Sequence, residues 1–244
     1  MSFFQNHPFA VEAYFKSSVV LTFAVPKEQL QSMLPERLEL DLFQDKWGFL
    51  AVAMVDTCGL RPKGFPTILG NNFFLIGYRL FVRYTNKAGK RLRGLYILRS
   101  ETNKKKMEFL GNIFTQYKYT TTDIEQFGDK TSRIIQSKNS NFRVELRESN
   151  ETIPLPAGSP FSNWKEARMF AGPLPFTFSC SKKNDSVLII EGVRENWTPI
   201  PLQVKDYYFN FLETLPIQDP ILANAFEIKN IPYFWKKGKI EKWT

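Results

Sequence analysis

The chain has a single histidine, His7, and only two cysteines, Cys58 and Cys180, in 244 residues. So little imidazole leaves a Ser/His/Asp hydrolase or a histidine-rich metal centre almost no material. The cysteines are too few for a disulfide framework and lack the spacing of metal ligands, so both are expected to be reduced packing residues. His7 is assigned no role. The 13 glycines form neither Gly-x-Gly-x-x-Gly nor a Walker phosphate loop, which removes nucleotide binding by the familiar routes. No cofactor and no metal are expected. No apolar run reaches the roughly 18 residues of a membrane span, and MSFFQNHPF lacks the basic and apolar regions of a signal peptide. A cytoplasmic protein without a membrane partner is therefore expected, in which the Asn-x-Ser/Thr triplets at Asn150, Asn184 and Asn196 carry no glycan. Linkers and internal repeats are missing too. The 15 prolines are dispersed, and residues 1–244 read as a single domain.

Charge is abundant, with 33 lysines and arginines against 24 acids, for a formal net charge of +9. That balance suits polyanions or small acids. The basic residues are scattered among acidic ones, with short clusters only at Lys104–Lys106, Lys182–Lys183 and Lys236–Lys239, as on a solvated surface. Two aromatic-basic runs, QYKY and PYFWKKGK, are of a kind that stacks bases, but 15% aromatic content predicts such runs in a core or at a strand edge. No nucleic-acid partner is expected. The competing basic nucleic-acid-binding reading requires affinity that falls steeply with salt.

Period-two alternation dominates the chain. Phe142, Val144 and Leu146 alternate with Arg143, Glu145 and Arg147, the pattern of a half-buried strand. FFLIGYRLFVRY and RLRGLYILRS flank TNKAGK, whose Asn and Gly supply the positive φ of a tight reversal, so the pair predicts a hairpin. SVLIIEGV and WGFLAVAMVDT predict more deeply buried strands. Three helices are expected outside the lysine cluster. VPKEQLQSMLP is one. SPFSNWKEARMFAGP is another, with Ser159 as cap, Pro160 in the first turn and Gly172 ending it in the left-handed conformation. PLQVKDYYFNFLETLP is the third, aligning Val204, Tyr208, Phe211, Leu212 and Leu215. The class is mainly β with a few helices, closed into an antiparallel barrel or cone because long sheets need protected edges.

The stretch ETNKKKMEFLGNIF raises a chemical question. Over a helix from Lys104 to Phe114, at about 100° per residue, Met107, Phe109, Leu110, Ile113 and Phe114 share one face. Lys106 falls within that arc, whereas Lys104 and Lys105 project to the other side. An inward ammonium is costly unless paired or deprotonated, and desolvation beside the Lys105 charge favours the free amine, a nucleophile. The bland alternative places Lys106 on the helix edge, its ammonium reaching water. Arg79, inside LIGYRLFVRY, either holds a carboxylate within a barrel or faces outward. Asp56, Glu101 and Glu191 lie in or beside apolar strands, as cavity carboxylates or as surface residues.

VPKEQLQSMLPERLELDLFQDKWGFLAVAMVDTCGLRPKGFP resembles the opening half of an uncharacterised bacterial domain-of-unknown-function family grouped with the acetoacetate decarboxylase-like proteins. YRLFVRY resembles that family's Arg-x-Tyr-Val strand, with Phe81 in place of tyrosine, and the resemblance covers most of the chain. It implies an acetoacetate decarboxylase-like barrel. Acetoacetate decarboxylase is similar at greater distance, through AMVDTCGL and the Leu-Pro helix ending. Its lysine, activated by desolvation and a neighbouring cation, forms a Schiff base with a β-keto acid. An ungapped comparison from Arg99 puts Lys106 on that lysine and makes Lys16 a counterpart of the substrate-binding arginine. The enzyme's two glutamates fall on Leu50 and Phe65, which do not ionise, and the usual Arg-Glu before the lysine is Arg99-Ser100.

The resemblance and the residues together imply a barrel that binds a small carbonyl or carboxylate compound. Lys106 is the candidate imine-forming lysine, Lys105 its modulator, and Arg79, Lys16 and Glu101 the candidate substrate contacts. A Schiff-base lyase and a non-catalytic ligand-binding barrel both remain open, and a homo-oligomer is compatible with either.

Overall fold

The computed structural model describes residues 3–129, 132–147, 153–194 and 197–243; Asn150 and Asn196 lie outside them. Strand and helix alternate as β1 (Val11–Pro26), α1 (Lys27–Gln31), β2 (Glu39–Leu40), β3 (Trp47–Pro62), β4 (Asn71–Thr85), β5 (Arg91–Thr102), α2 (Lys105–Phe114) and β6 (Tyr119–Thr121). Then come β7 (Glu125–Gly128), β8 (Ser132–Ser137), β9 (Phe142–Arg147), α3 (Trp164–Ala171), β10 (Phe176–Ser181) and β11 (Ser186–Arg194). The chain ends with β12 (Ile200–Pro201), β13 (Gln203–Phe209), α4 (Asn210–Glu213), β14 (Ile221–Trp235) and β15 (Lys239–Lys242).

Seven strands, in the order β14-β1-β3-β4-β5-β10-β11, form a sheet whose last member pairs back with the first. Closure removes the free edges of a long sheet. All ring pairings are antiparallel except β5 with β10. The hairpin expected around TNKAGK is β4–β5; Gly89 has φ +75°, and the Asn86 side chain accepts from the backbone N–H groups of Ala88 and Lys90. A separate sheet, β13-β9-β8-β7, lies against one outer face of the ring. There the alternation of β9 is obeyed: Phe142, Val144 and Leu146 are buried in the cluster that holds Leu21, Phe23, Tyr78 and Leu80 of the ring.

Helices plug the ring at both ends. Ala167 and Ala171 of α3 pack with Phe49, Ala51 and Phe81. Met107 of α2 packs with Phe73 and Tyr119. Among the described residues, no helix is long and apolar enough to cross a membrane.

Two helix expectations are corrected. Residues 203–209 pair with β9 as a strand, leaving helix only at Asn210–Glu213, because Tyr207, Tyr208 and Phe209 fit a pleated surface with a ladder partner waiting. In α3 the cap is Asn163, whose side chain accepts from the Glu166 N–H while the Glu166 carboxylate accepts from Ser162. Ser159 instead donates to the Ala223 carbonyl. Gly172 is extended, with φ −72°, so the helix does not end left-handed; a Cβ there would strike the Arg168 carbonyl, and glycine is needed for room.

Candidate functional site

Alternation along the ring strands sends one set of side chains inward. On β3 the inward column is Ala51, Ala53, Val55 and Thr57; on β4 it is Phe81, Arg79, Gly77, Leu75 and Phe73. Small residues on β3 leave space, and two adjoining chambers fill it. The inner chamber, about 130 Å³, is lined by all seven ring strands, by Ala171 at the end of α3 and by Gly172, Pro173 and Leu174 after it. The outer chamber, about 480 Å³, lies under α2. Both have Phe15, Leu75, Tyr117, Tyr119 and Trp235 in their walls, which marks where they adjoin.

The inner chamber is apolar apart from Arg79, Arg194, Tyr117, Tyr119, Tyr233, Thr177, Ser18 and Ser100. Among the described residues, its wall has two guanidinium groups and no carboxylate, imidazole or amine. Among the described residues Arg79 has no acidic partner in its chamber, and its Nε is buried without a hydrogen-bond partner. What surface Arg79 exposes belongs to the chamber wall. Burial lowers its pKa, Arg194 adds to that, and Tyr233, Tyr119 and Tyr117 partly oppose it; a guanidinium nonetheless stays charged. Arg194 donates to Tyr233 Oη at 3.2 Å and to the Pro173 carbonyl, while its Nε is also unpartnered. Burial pushes the Tyr117 phenol above its ordinary range and Tyr119 up to about 12, so both remain neutral hydroxyls. The Tyr117 hydroxyl sits near Thr177 but makes no well-formed hydrogen bond.

Three glycines hold these polar groups in place by leaving them room. The Arg79 guanidinium lies over Gly77, where an added Cβ would stand 3.1 Å from Nε. A Cβ on Gly192 would collide with Tyr233 Oη, and one on Gly111 with the Tyr119 ring. Asn112 clamps Tyr119 further, accepting from its N–H at 2.8 Å and donating to its carbonyl at 2.9 Å. With donors and two positive charges, the chamber is equipped to hold an anion.

The remaining sequence candidates are not gathered there. Lys106 lines the outer chamber but its side chain is exposed, as is that of Lys105. The inward face of α2 centres on Met107 and Gly111, which places Lys106 roughly a third of a turn to the side at about 100° per residue. Phe109, expected inward, is 66% exposed. Lys16 is exposed and lines neither chamber. Glu101 is buried between the ring and the small sheet, accepting from Arg99 at 2.6 Å and Ser140 at 2.7 Å. Asp56 lines neither chamber, Glu191 pairs with Lys236 at 2.9 Å, Leu50 is buried in the core outside the ring cavity, and Phe65 lines the outer chamber.

The three tyrosines carry a signal that sequence reading weighed differently, whereas nothing local marked Arg194. Tyr117 and Tyr119 come from QYKY, and Tyr233 from PYFWKKGK. Alternate aromatic residues turn inward, while Lys118 between the first two is exposed.

A profile described as "Uncharacterized conserved protein (COG2071)", named DUF2071, matches residues 12–221. The chain belongs to the DUF2071 family. No curated protein sequence matches it. Solved structures similar to this family member share its fold. Acetoacetate decarboxylase from Legionella pneumophila aligns with a TM-score of 0.63 at 11% identity, covering 97% of this chain and 89% of that one. An acetoacetate decarboxylase-like enzyme from Sphingomonas wittichii gives 0.57 at 9% identity, covering 97% and 93%. The enduracididine biosynthesis enzyme MppR, complexed with a condensation product of pyruvate and imidazole 4-carboxaldehyde, gives 0.57 at 10% identity, covering 97% and 91%. The DUF2071 chain thus has an acetoacetate decarboxylase-like fold.

His7, assigned no role from sequence, is buried on the outer-chamber wall with Nδ1 unpartnered, and burial lowers its pKa to about 4. Between pH 6.5 and that value the unfolded chain binds a proton that the folded chain does not, so stability falls as pH falls. From pH 7 to pH 4.5 His7 is expected to remove about 2 kcal/mol of unfolding free energy. Urea titrations at both values should show His7→Gln losing that much less than the parent; equal losses place the pH dependence elsewhere.

Proposed function

We propose that this protein binds a small organic acid inside the ring, with Arg79 as the carboxylate anchor. The observation that carries the reading is a half-buried guanidinium, its Nε fully enclosed, with no described counter-ion. Such a charge is costly without a counter-ion and is relieved by a carboxylate that accepts from its planar fork. Tyr117, Tyr119 and Tyr233 offer additional donors to carboxylate or carbonyl oxygens, and the Arg194 Nε is another. MppR, of the same fold, was captured with a pyruvate-derived product, which supports a ligand of keto-acid chemistry. Calorimetric titration with pairs of acids and their primary amides tests the proposal. Acids should bind and amides should not; equal affinity within pairs removes the anionic anchor.

A second reading, imine formation at Lys106, is favoured by that residue's place on the outer-chamber wall. Its exposed side chain lacks the apolar enclosure on which amine nucleophiles rely, so binding without turnover is the better-supported function. Borohydride trapping with a panel of keto acids, read by mass spectrometry, separates the two. A keto-acid adduct that disappears in Lys106→Ala establishes the imine, and absence of any adduct leaves the binding role.

A further inference from the structure

The inner chamber, about 130 Å³, is close to the ~150 Å³ cavity known to admit benzene, so it has room for a carboxylate and a few adjoining carbons. The outer chamber, about 480 Å³, lies in the ~300–1,000 Å³ range of ligand pockets and has no need to exist for so small a head group. Its wall is largely hydrocarbon and aromatic: Phe9, Leu60, Phe73, Met107, Leu110 and Phe114. The two chambers adjoin along β4, whose inward column runs from Phe81 and Arg79 on the inner wall, through shared Leu75, to Phe73 on the outer.

We infer that the ligand is an amphipathic monocarboxylate, its head on Arg79 in the inner chamber and an apolar tail of medium length passing the shared aromatic residues into the outer chamber. This deepens the organic-acid reading and rests on it. The length follows from the strand. The guanidinium lies at the level of Gly77, four residues from Phe73, which is ~13 Å along a strand. An extended chain covers ~3.5 Å in three bonds, so that distance takes roughly eleven chain atoms. Phe15, Tyr233 and Trp235, with ring centroids 4.4–5.8 Å apart, form a tilted aromatic cluster along this path that offers apolar contact to a hydrocarbon.

Titration of the full-length protein with saturated linear carboxylates from two to fourteen carbons tests the inference. Affinity is expected to rise about fourfold per methylene, the worth of one buried CH₂, up to roughly ten carbons and then to level. The 1-alkanol of matching length should bind at least tenfold more weakly. Leu110→Glu, a partly exposed position on the outer wall, should flatten the chain-length dependence while acids of two to four carbons keep their affinity. Short acids bound as well as long ones overturn the tail and leave the carboxylate anchor standing. Alkanols bound as well as acids overturn the head group. Failure of every acid to bind sinks the organic-acid reading itself, and this inference with it.

Discussion

Arg79→Met is expected to raise the melting temperature of the unliganded protein while abolishing tight binding of organic acids. The two effects have one origin. Arg79 is a largely desolvated cation whose Nε has no partner, and its surroundings supply a second cation and three phenols instead of a carboxylate. Methionine fills similar space without the desolvation cost, and exchanges of buried charge for apolar side chains stabilise by about 1–4 kcal/mol in favourable cases. A charge-assisted hydrogen bond contributes ~1.5–3 kcal/mol, so losing a two-pronged contact should weaken acid binding about 100-fold or more. Arg79→Lys keeps the charge and loses the fork, and should fall between. Scanning calorimetry gives the first quantity and titration calorimetry the second. A methionine variant that binds acids normally removes Arg79 from the site; one that unfolds several degrees earlier makes the arginine structural.

The largest loss of stability is expected at a position that touches no ligand. Glu227 is fully buried on β14, on the side facing the small sheet, and Ser17 donates to its Oε1. Arg133 of β8 reaches it at 2.9 Å and Lys229 at 3.3 Å. Glu227→Ala strips a partner from two cations that are 22% and 34% exposed, so part of the usual ~3–5 kcal/mol is recovered through water. A loss near 3 kcal/mol remains, about 6–12 °C in melting temperature for a chain of this size. In a double-mutant cycle with Arg133→Met, the pair should lose markedly less than the sum of the two single changes. A Glu227→Ala change within 0.5 kcal/mol of the parent, roughly the range of neutral surface substitutions, contradicts the role given to this cluster.

These expectations differ in how far the chain alone announced them. Period-two alternation is a local signal, so β9 and the β4–β5 hairpin were legible, and Arg79 stood out as one guanidinium in an apolar strand. What faces it was not legible. Arg194 lies on β11, joined to β14 only by ring closure, and no local pattern reports a contact across so many intervening residues. Residues 203–209 misled because helical spacing of aromatics also fits a strand with a partner, and the partner was invisible until β9 was in place. The α2 helix was found within one residue of its start, yet its rotation was misjudged. Counting apolar side chains pulled the inward direction toward Phe109, whereas the buried face is marked by Gly111, a residue with no side chain to count. Lys106 is accordingly placed at the helix edge.

One asymmetry in the ring has a mechanical meaning. The β10–β11 hairpin is held to β5 by three residue pairs on one side and to β14 by three on the other, whereas β1 and β3 share fourteen. Like a stave set loosely between firm neighbours, it carries Thr177 and Arg194 into the chamber opposite the Arg79 wall. On the organic-acid reading proposed above, an anion gripped by both arginines would pin that stave to the far side of the cask. The cargo would then act as the hoop that draws the staves together.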